Sequence, residues 1–212
     1  MTTLSGVIAG VAEDLAGARD ELNRLDGVAG DGDLGVTVAA GSAAVLALLP
    51  ELADEEAGAL LRRCGRELAR AAPSTSGTLI ATALMAAGRV SGEPGETVTA
   101  FVARAASVAF DSISERGRAS LGDRTMLDAL GPAVTALEAG AATGASIGDA
   151  LLAAAAAAAA GVEDTRTMEP KVGRAAWLAG RAAGNVDAGA RLVALILRSA
   201  AGRVSRDPDQ RP

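Results

Sequence analysis

Between Ala150 and Val162 the chain is alanine interrupted only by Leu151, Leu152 and Gly161. A run of this kind has one stable local structure, the α-helix, because alanine has the highest helix propensity and loses no rotamer freedom. The run is too short to cross a bilayer, which takes roughly 20 apolar residues. Being apolar all round, the helix Ser146 to Gly161 is expected to be buried on most sides. Half of the 212 residues are apolar, yet only Trp177, Phe101 and Phe110 are aromatic. A core of that composition fills only if helices approach closely through small contact residues, which is an all-α pattern.

Helical periodicity follows along the chain. Leu4, Val7, Ile8, Val11, Leu15, Leu22 and Leu25 predict one long first helix, and Leu34 to Leu49 a second, stopped by Pro50. Further helices are expected over Glu55 to Ala72, Ser76 to Val90, a segment after the turn SGEPGE to about Arg116, Thr125 to Gly140, Arg174 to Arg181 and Asp187 to Ala201. Thr125 and Asp128 have capping-box-like spacing. With no period-2 strand pattern, linker or repeat, the expectation is one domain over 1–202, about eight antiparallel helices with short connections, and a loose tail over 203–212.

A net charge of -6 argues against a nucleic-acid surface. The single cysteine, Cys64, excludes an intrachain disulfide and fits the cytoplasm. The N-terminus lacks the basic n-region of a signal peptide, and neither a membrane nor a nucleic-acid partner is expected. There is no histidine, so His-based acid–base catalysis and His ligation are unavailable to this chain alone.

The chemistry-bearing residues fall in four stretches. In LDGVAGDGDLGVT, Gly30, Gly32 and Gly35 let the backbone curl while Asp31 and Asp33 project towards one point and Asp26 supplies a third carboxylate. All-oxygen ligation favours Mg²⁺ or Ca²⁺. An EF-hand is rejected, because Val36 and Ser42 stand where its glycine and glutamate belong. A solvated Asp/Gly turn explains the same residues, but Asp26 near a helix C-terminus opposes the macrodipole and calls for a compensating cation. PSTSGT, Pro73 to Thr78, is either a phosphate-holding helix start or an ordinary N-cap. It is not a P-loop, since the only lysine is Lys171. GDRTMLD, Gly122 to Asp128, is a turn into a helix. GRAAWLAGRAAGNVDAGA carries Arg174 and Arg181, which could meet phosphates or simply lie at the surface. Trp177 within it reads as a core anchor.

Taken together and in this order, these stretches resemble the L subunit, or nucleotide-binding domain, of dihydroxyacetone kinases, over nearly the whole chain. The resemblance implies an antiparallel eight-helix barrel with ADP or ATP at one end and Mg²⁺ joining aspartates to phosphates. It makes Asp26, Asp31 and Asp33 the metal ligands and catalytic residues. It places Thr37 and Ser76 with Gly77 along the phosphates, and the Gly122 turn with Thr125 and Met126 by the adenine. Arg174 and the turn from Asp187 to Gly189 close the pocket. The phosphoryl acceptor is a small ketose held by a separate K subunit, and a homodimer is compatible with the pattern. Three departures stand out: Leu34 where the family commonly has His, Pro73-Ser74-Thr75 for a Gly-rich approach, and Asp187-Ala188-Gly189 for Asp-Pro-Gly. Alternatives are the nucleotide-binding half of a fatty-acid kinase-like system, a nucleotide-sensing regulatory subunit without turnover, and an all-α scaffold with no ligand.

Overall fold

The computed structural model describes residues 3–205, so the expected tail lies outside the described residues from 206 onward. The described residues form ten α-helices and no strand. In chain order these are α1 (Leu4–Gly17), α2 (Arg19–Ala29), α3 (Leu34–Leu48), α4 (Ala57–Ala71), α5 (Thr75–Ala87), α6 (Val98–Gly117), α7 (Leu127–Thr143), α8 (Ile147–Asp164), α9 (Ala179–Ala182) and α10 (Ala188–Val204), with 3-10 turns at Leu49–Leu52 and Arg174–Leu178. Local chemistry sets many of the starts. Thr3, Ser74, Thr97, Ser146 and Asp187 each cap the helix that follows them through a side-chain oxygen.

Neighbours in sequence pack as neighbours in space: α1 on α3, α3 on α4, and so on through α8 on α10, while α10 returns to α1. The ring closes as an antiparallel barrel. Treating α1 and α2 as one broken helix and setting aside the single-turn α9 leaves the eight long helices that the sequence predicts. Close approach through small residues holds the ring together. A Cβ on Gly161 of α8 would overlap the backbone of Asp128 in α7, and one on Gly65 of α4 would come within 2.9 Å of the Ala81 carbonyl in α5.

Three expectations need correction. The long first helix breaks at Ala18 (φ -88°, ψ 6°), which turns α2 across the start of α3. The alanine helix α8 is buried along one face only, through Ala150, Leu151, Ala154, Ala158, Gly161 and Val162, while Leu152 is 49% exposed. Methyl groups expose little apolar area, so the uniform composition concealed which face is wet. α10 continues past Ala201 to Val204, where Arg203 pairs with Asp14 (2.8 Å) and donates to Ser199 Oγ (2.9 Å). The stretch Leu34–Leu52 is long and apolar enough to cross a membrane by length and composition alone (mean hydropathy 1.6). α3, which makes up most of that stretch, packs in the barrel wall against α1, α2 and α4.

Alternation of direction has a functional consequence. The N-termini of α3, α5, α7 and α10 all open at the same end of the barrel. Each of the four sequence stretches lies at one of these N-termini.

Candidate functional site

The site is built outward from α2. Asp26, near its C-terminus, turns its carboxylate back on the following loop, where Oδ2 accepts from the Gly32 N–H (2.8 Å) and the Asp33 N–H (3.2 Å). Two glycines permit this wrap. Gly32 takes a left-handed φ of 78°, and a Cβ on Gly30 would overlap the Asp26 carboxylate. The loop thereby gathers Asp26, Asp31 and Asp33 so that one carboxylate oxygen of each lies within 4.8 Å of the others. A carboxylate at the end of α2, like that of Asp26, opposes the helix dipole and calls for compensation. The two loop N–H groups supply part of that compensation.

Electrostatics separate the other two aspartates. Arg174, from the 3-10 turn, bonds and pairs with Asp31 and holds its carboxyl below the usual range. The Asp33 carboxyl, although exposed, is pushed up, first by local desolvation and then by the neighbouring charges of Asp31 and Asp26. A divalent cation among the three would relieve that repulsion. The donor set is three hard oxygens, suited to Mg²⁺ or Ca²⁺ rather than to zinc or copper. The packing of Gly30 against Asp26 fits a purpose-shaped cradle.

Thr37 stands one turn into α3, its N–H bonded to the Asp33 carbonyl (3.0 Å). It shares with Ser76 and Gly77 the lining of an apolar cavity of about 250 Å³ inside the barrel. Ser74 Oγ accepts from Gly77 N–H (3.0 Å), so the N-cap reading of PSTSGT holds, and the hydroxyl of Ser76 is not used in that cap. At the third stretch the helix starts at Leu127 rather than Thr125, and Gly122 has φ 86°. The reach-back half of a capping box is present: Asp128 accepts from Thr125 N–H (2.7 Å) and also from Gly122 N–H (2.6 Å). Met126 is 5% exposed and packs into the core. Its backbone lies against Gly189, whose Cβ position would be 3.5 Å from the Met126 N atom. Asp187 caps α10 through Ala190 N–H (2.8 Å), and burial pushes its carboxyl up to about 6.

The fourth stretch meets the first at three points: Arg174 on Asp31, Arg181 on the Gly27 carbonyl (3.2 Å), and Ala188 in one apolar cluster with Leu34, Leu22 and Leu192. Leu34 therefore turns into the core, so the position commonly held by His in the resembling family carries an apolar packing residue here. Trp177 corrects an expectation, being 88% exposed on its short turn rather than a core anchor.

Two residues went unread in the sequence. Arg124, with φ 60° and 4% exposure, donates to the carbonyls of Thr165 (3.0 Å), Ala182 (2.9 Å) and Asn185 (2.8 Å), and so pins the segment that carries Arg174. Its signal was available, since an arginine between a Gly-Asp turn and a helix is an expensive residue to bury without several acceptors. Asn23 accepts from Val36 N–H (3.1 Å) across the α2–α3 junction. Nothing local in the sequence marks that bond, which spans 13 positions.

Residues 28–202 match the DAK2 domain family model. The chain belongs to the DAK2 domain family. This DAK2 domain is 39% identical over 197 residues to a D-erythrulose kinase of Mycolicibacterium smegmatis, covering 92% of this chain and 34% of that protein. It is 30% identical over 177 residues to the ADP-binding subunit DhaL of the PEP-dependent dihydroxyacetone kinase of Escherichia coli, covering 84% of each. The fold matches the dihydroxyacetone kinase of C. freundii in complex with AMP-PNP and Mg²⁺ with a TM-score of 0.72 at 30% identity, covering 94% of this chain and 33% of that one. The chain thus spans about a third of the length of the first curated kinases it matches.

Proposed function

We propose that this DAK2 domain is the nucleotide-binding component of a ketose kinase: it binds ADP or ATP with Mg²⁺ at the barrel end where α3, α5, α7 and α10 begin. A phosphoryl group would pass from there to an alcohol of a small ketose held by a separate K-type subunit in the cytoplasm. The observation that carries the reading is the gathering of the three aspartate oxygens within 4.8 Å at that end. The names of the relatives, a D-erythrulose kinase and an ADP-binding kinase subunit, support it.

On this reading Asp26, Asp31 and Asp33 hold Mg²⁺. When bound there, it supplies charge compensation for the phosphate oxygens as the γ-phosphoryl moves. The remaining work belongs to the chain. Helix N-termini present N–H groups and their positive dipole ends to the phosphates, with the hydroxyls of Thr37 and Ser76 beside them. Thr125 and the Gly122 turn, with Met126 beneath them, face the adenine, while Arg174 and the turn from Asp187 to Gly189 close over it. Phosphoryl transfer of this kind rests on positioning and electrostatics, so the lack of histidine is no obstacle.

Thermal melting tests the binding. Mg²⁺ with ADP or ATP at a hundredfold excess over its dissociation constant should stabilise the fold by roughly 2.7 kcal/mol, and Asp31→Asn should lose most of that. No shift at millimolar nucleotide sinks the reading. Ketose-dependent ATP consumption by the domain with its K-type partner separates a kinase from a nucleotide-sensing regulator.

A further inference from the structure

Helix α3 begins at Asp33, an aspartate at the N-cap position, where this side chain ordinarily bonds the helix's own free N–H groups. Here it does not: Asp33 makes no side-chain cap bond. The N–H it would take, that of Val36 three residues on, is bonded by Asn23 Oδ1 of α2 (3.1 Å). Asn23 lies three residues before Asp26, so both face the same side of α2. From there Asp26 accepts Gly32 N–H and Asp33 N–H while Asn23 accepts Val36 N–H. The fit is tight, since a Cβ on Gly35 would overlap the Arg19 carbonyl and lie 2.8 Å from Asn23 Oδ1.

We propose that Asn23 is a positioning residue that caps helix α3 in place of Asp33 and so keeps the Asp33 carboxylate turned to the aspartate cluster, free to ligate a divalent cation. The inference rests on the proposed cation site. The capping exchange itself is a property of the protein without metal.

If Asn23 is shortened to alanine, Val36 N–H loses its acceptor and the nearest competent one is the side chain of Asp33. The carboxylate then turns from the cluster to the helix. Stability should change little, because one cap replaces another, while the cation site loses a ligand.

Two measurements decide the matter. The first is melting without metal of the wild type, Asn23→Ala, Asp33→Ala and the double variant. Attraction of Asp33 to the helix dipole is common to both backgrounds, while the repulsion by Asp26 and Asp31 that Asp33 escapes in the Asn23→Ala background shifts the comparison in the same direction as the cap. Loss of a cap should therefore make Asp33→Ala lower Tm by about 2–4 °C more in the Asn23→Ala background than in the wild type. The second is Mn²⁺ binding followed by electron paramagnetic resonance. Asn23→Ala should weaken it by roughly 10–100-fold with an unchanged circular dichroism spectrum, and Asn23→Asp, which keeps the acceptor, should restore it. Equal Tm shifts in the two backgrounds, or unaltered Mn²⁺ affinity in Asn23→Ala, overturn the proposal. A wild type that binds no Mn²⁺ overturns the cation site instead, and the melting comparison still judges the exchange of caps.

Discussion

Gly30 and Asp187 show how far single residues set the properties of the site. A methyl group on Gly30 would occupy the place of the Asp26 carboxylate, so Gly30→Ala should push that carboxylate off the Gly32 and Asp33 N–H groups. Nucleotide-dependent stabilisation should fall at least tenfold in apparent affinity, as it does when the partner that orients a ligand is lost. A titration of Tm against Mg²⁺·ADP reads this, and an unchanged midpoint would show that the carboxylate tolerates displacement. Asp187 makes a prediction about pH. Its carboxyl rises from 3.8 to about 6 on folding, chiefly through burial. Between those values the folded chain keeps a proton that the unfolded chain has released, so this group's contribution to stability falls as pH rises through that window. Asp187→Asn keeps a competent cap on α10 and removes the titration. The stability of wild type minus variant should therefore decline from pH 4 to pH 6 and level off above it, as read by urea unfolding across that range. A flat difference would mean that the carboxyl is better solvated than its surroundings indicate.

At the scale of elements, the connection from α8 to α10 is where local and long-range reasoning part. Residues 165 to 187 carry Arg174 and Arg181 and contain only a 3-10 turn and one turn of α9. Their placement depends on Arg124, whose three bonds reach 41 to 61 positions along the chain. Arg124→Met should strand three carbonyl acceptors and cost about 2–5 kcal/mol. Amide hydrogen exchange should speed up first in 165–187, and a uniform rise across the barrel would contradict this role. The sequence was legible where structure is local: five of the ten helix starts carry a capping Ser, Thr or Asp, and Pro50 does stand just past the end of α3. It was illegible where a contact crosses elements. The break at Ala18, the exposure of Trp177 and the cap that Asn23 lends to α3 depend on what packs opposite, which no periodicity encodes. The aspartate loop was readable because the glycines and carboxylates that shape it lie within eight positions. Its second support, from Asn23, lies outside the loop on α2.

For the molecule as a whole, the antiparallel ring converts four distant stretches into one surface. Each up-and-down pair of helices returns an N-terminus to the same rim, so Asp33, Ser74, Met126 and Asp187 mark four helix starts at that rim although they are spread over more than 150 positions. Four dipole ends pointing at one space favour an anion there, and three carboxylates beside them favour an anion accompanied by a cation. The opposite rim is built from other contacts: Gly58 against Gly88, Thr99 Oγ1 donating to the Ala145 carbonyl (3.0 Å), and Gly148 against Ser205. This polarity can be tested without any substitution. Saturating Mg²⁺·ADP should slow amide exchange in 30–37, 74–78, 122–128 and 174–190, because binding raises the free energy of every opening that breaks the site. Exchange at 57–60, 88–99 and 143–149 should slow only as far as global unfolding controls it. Protection confined to that second group would place the ligand at the wrong end of the barrel, and with it remove the reason for gathering the aspartates where they are.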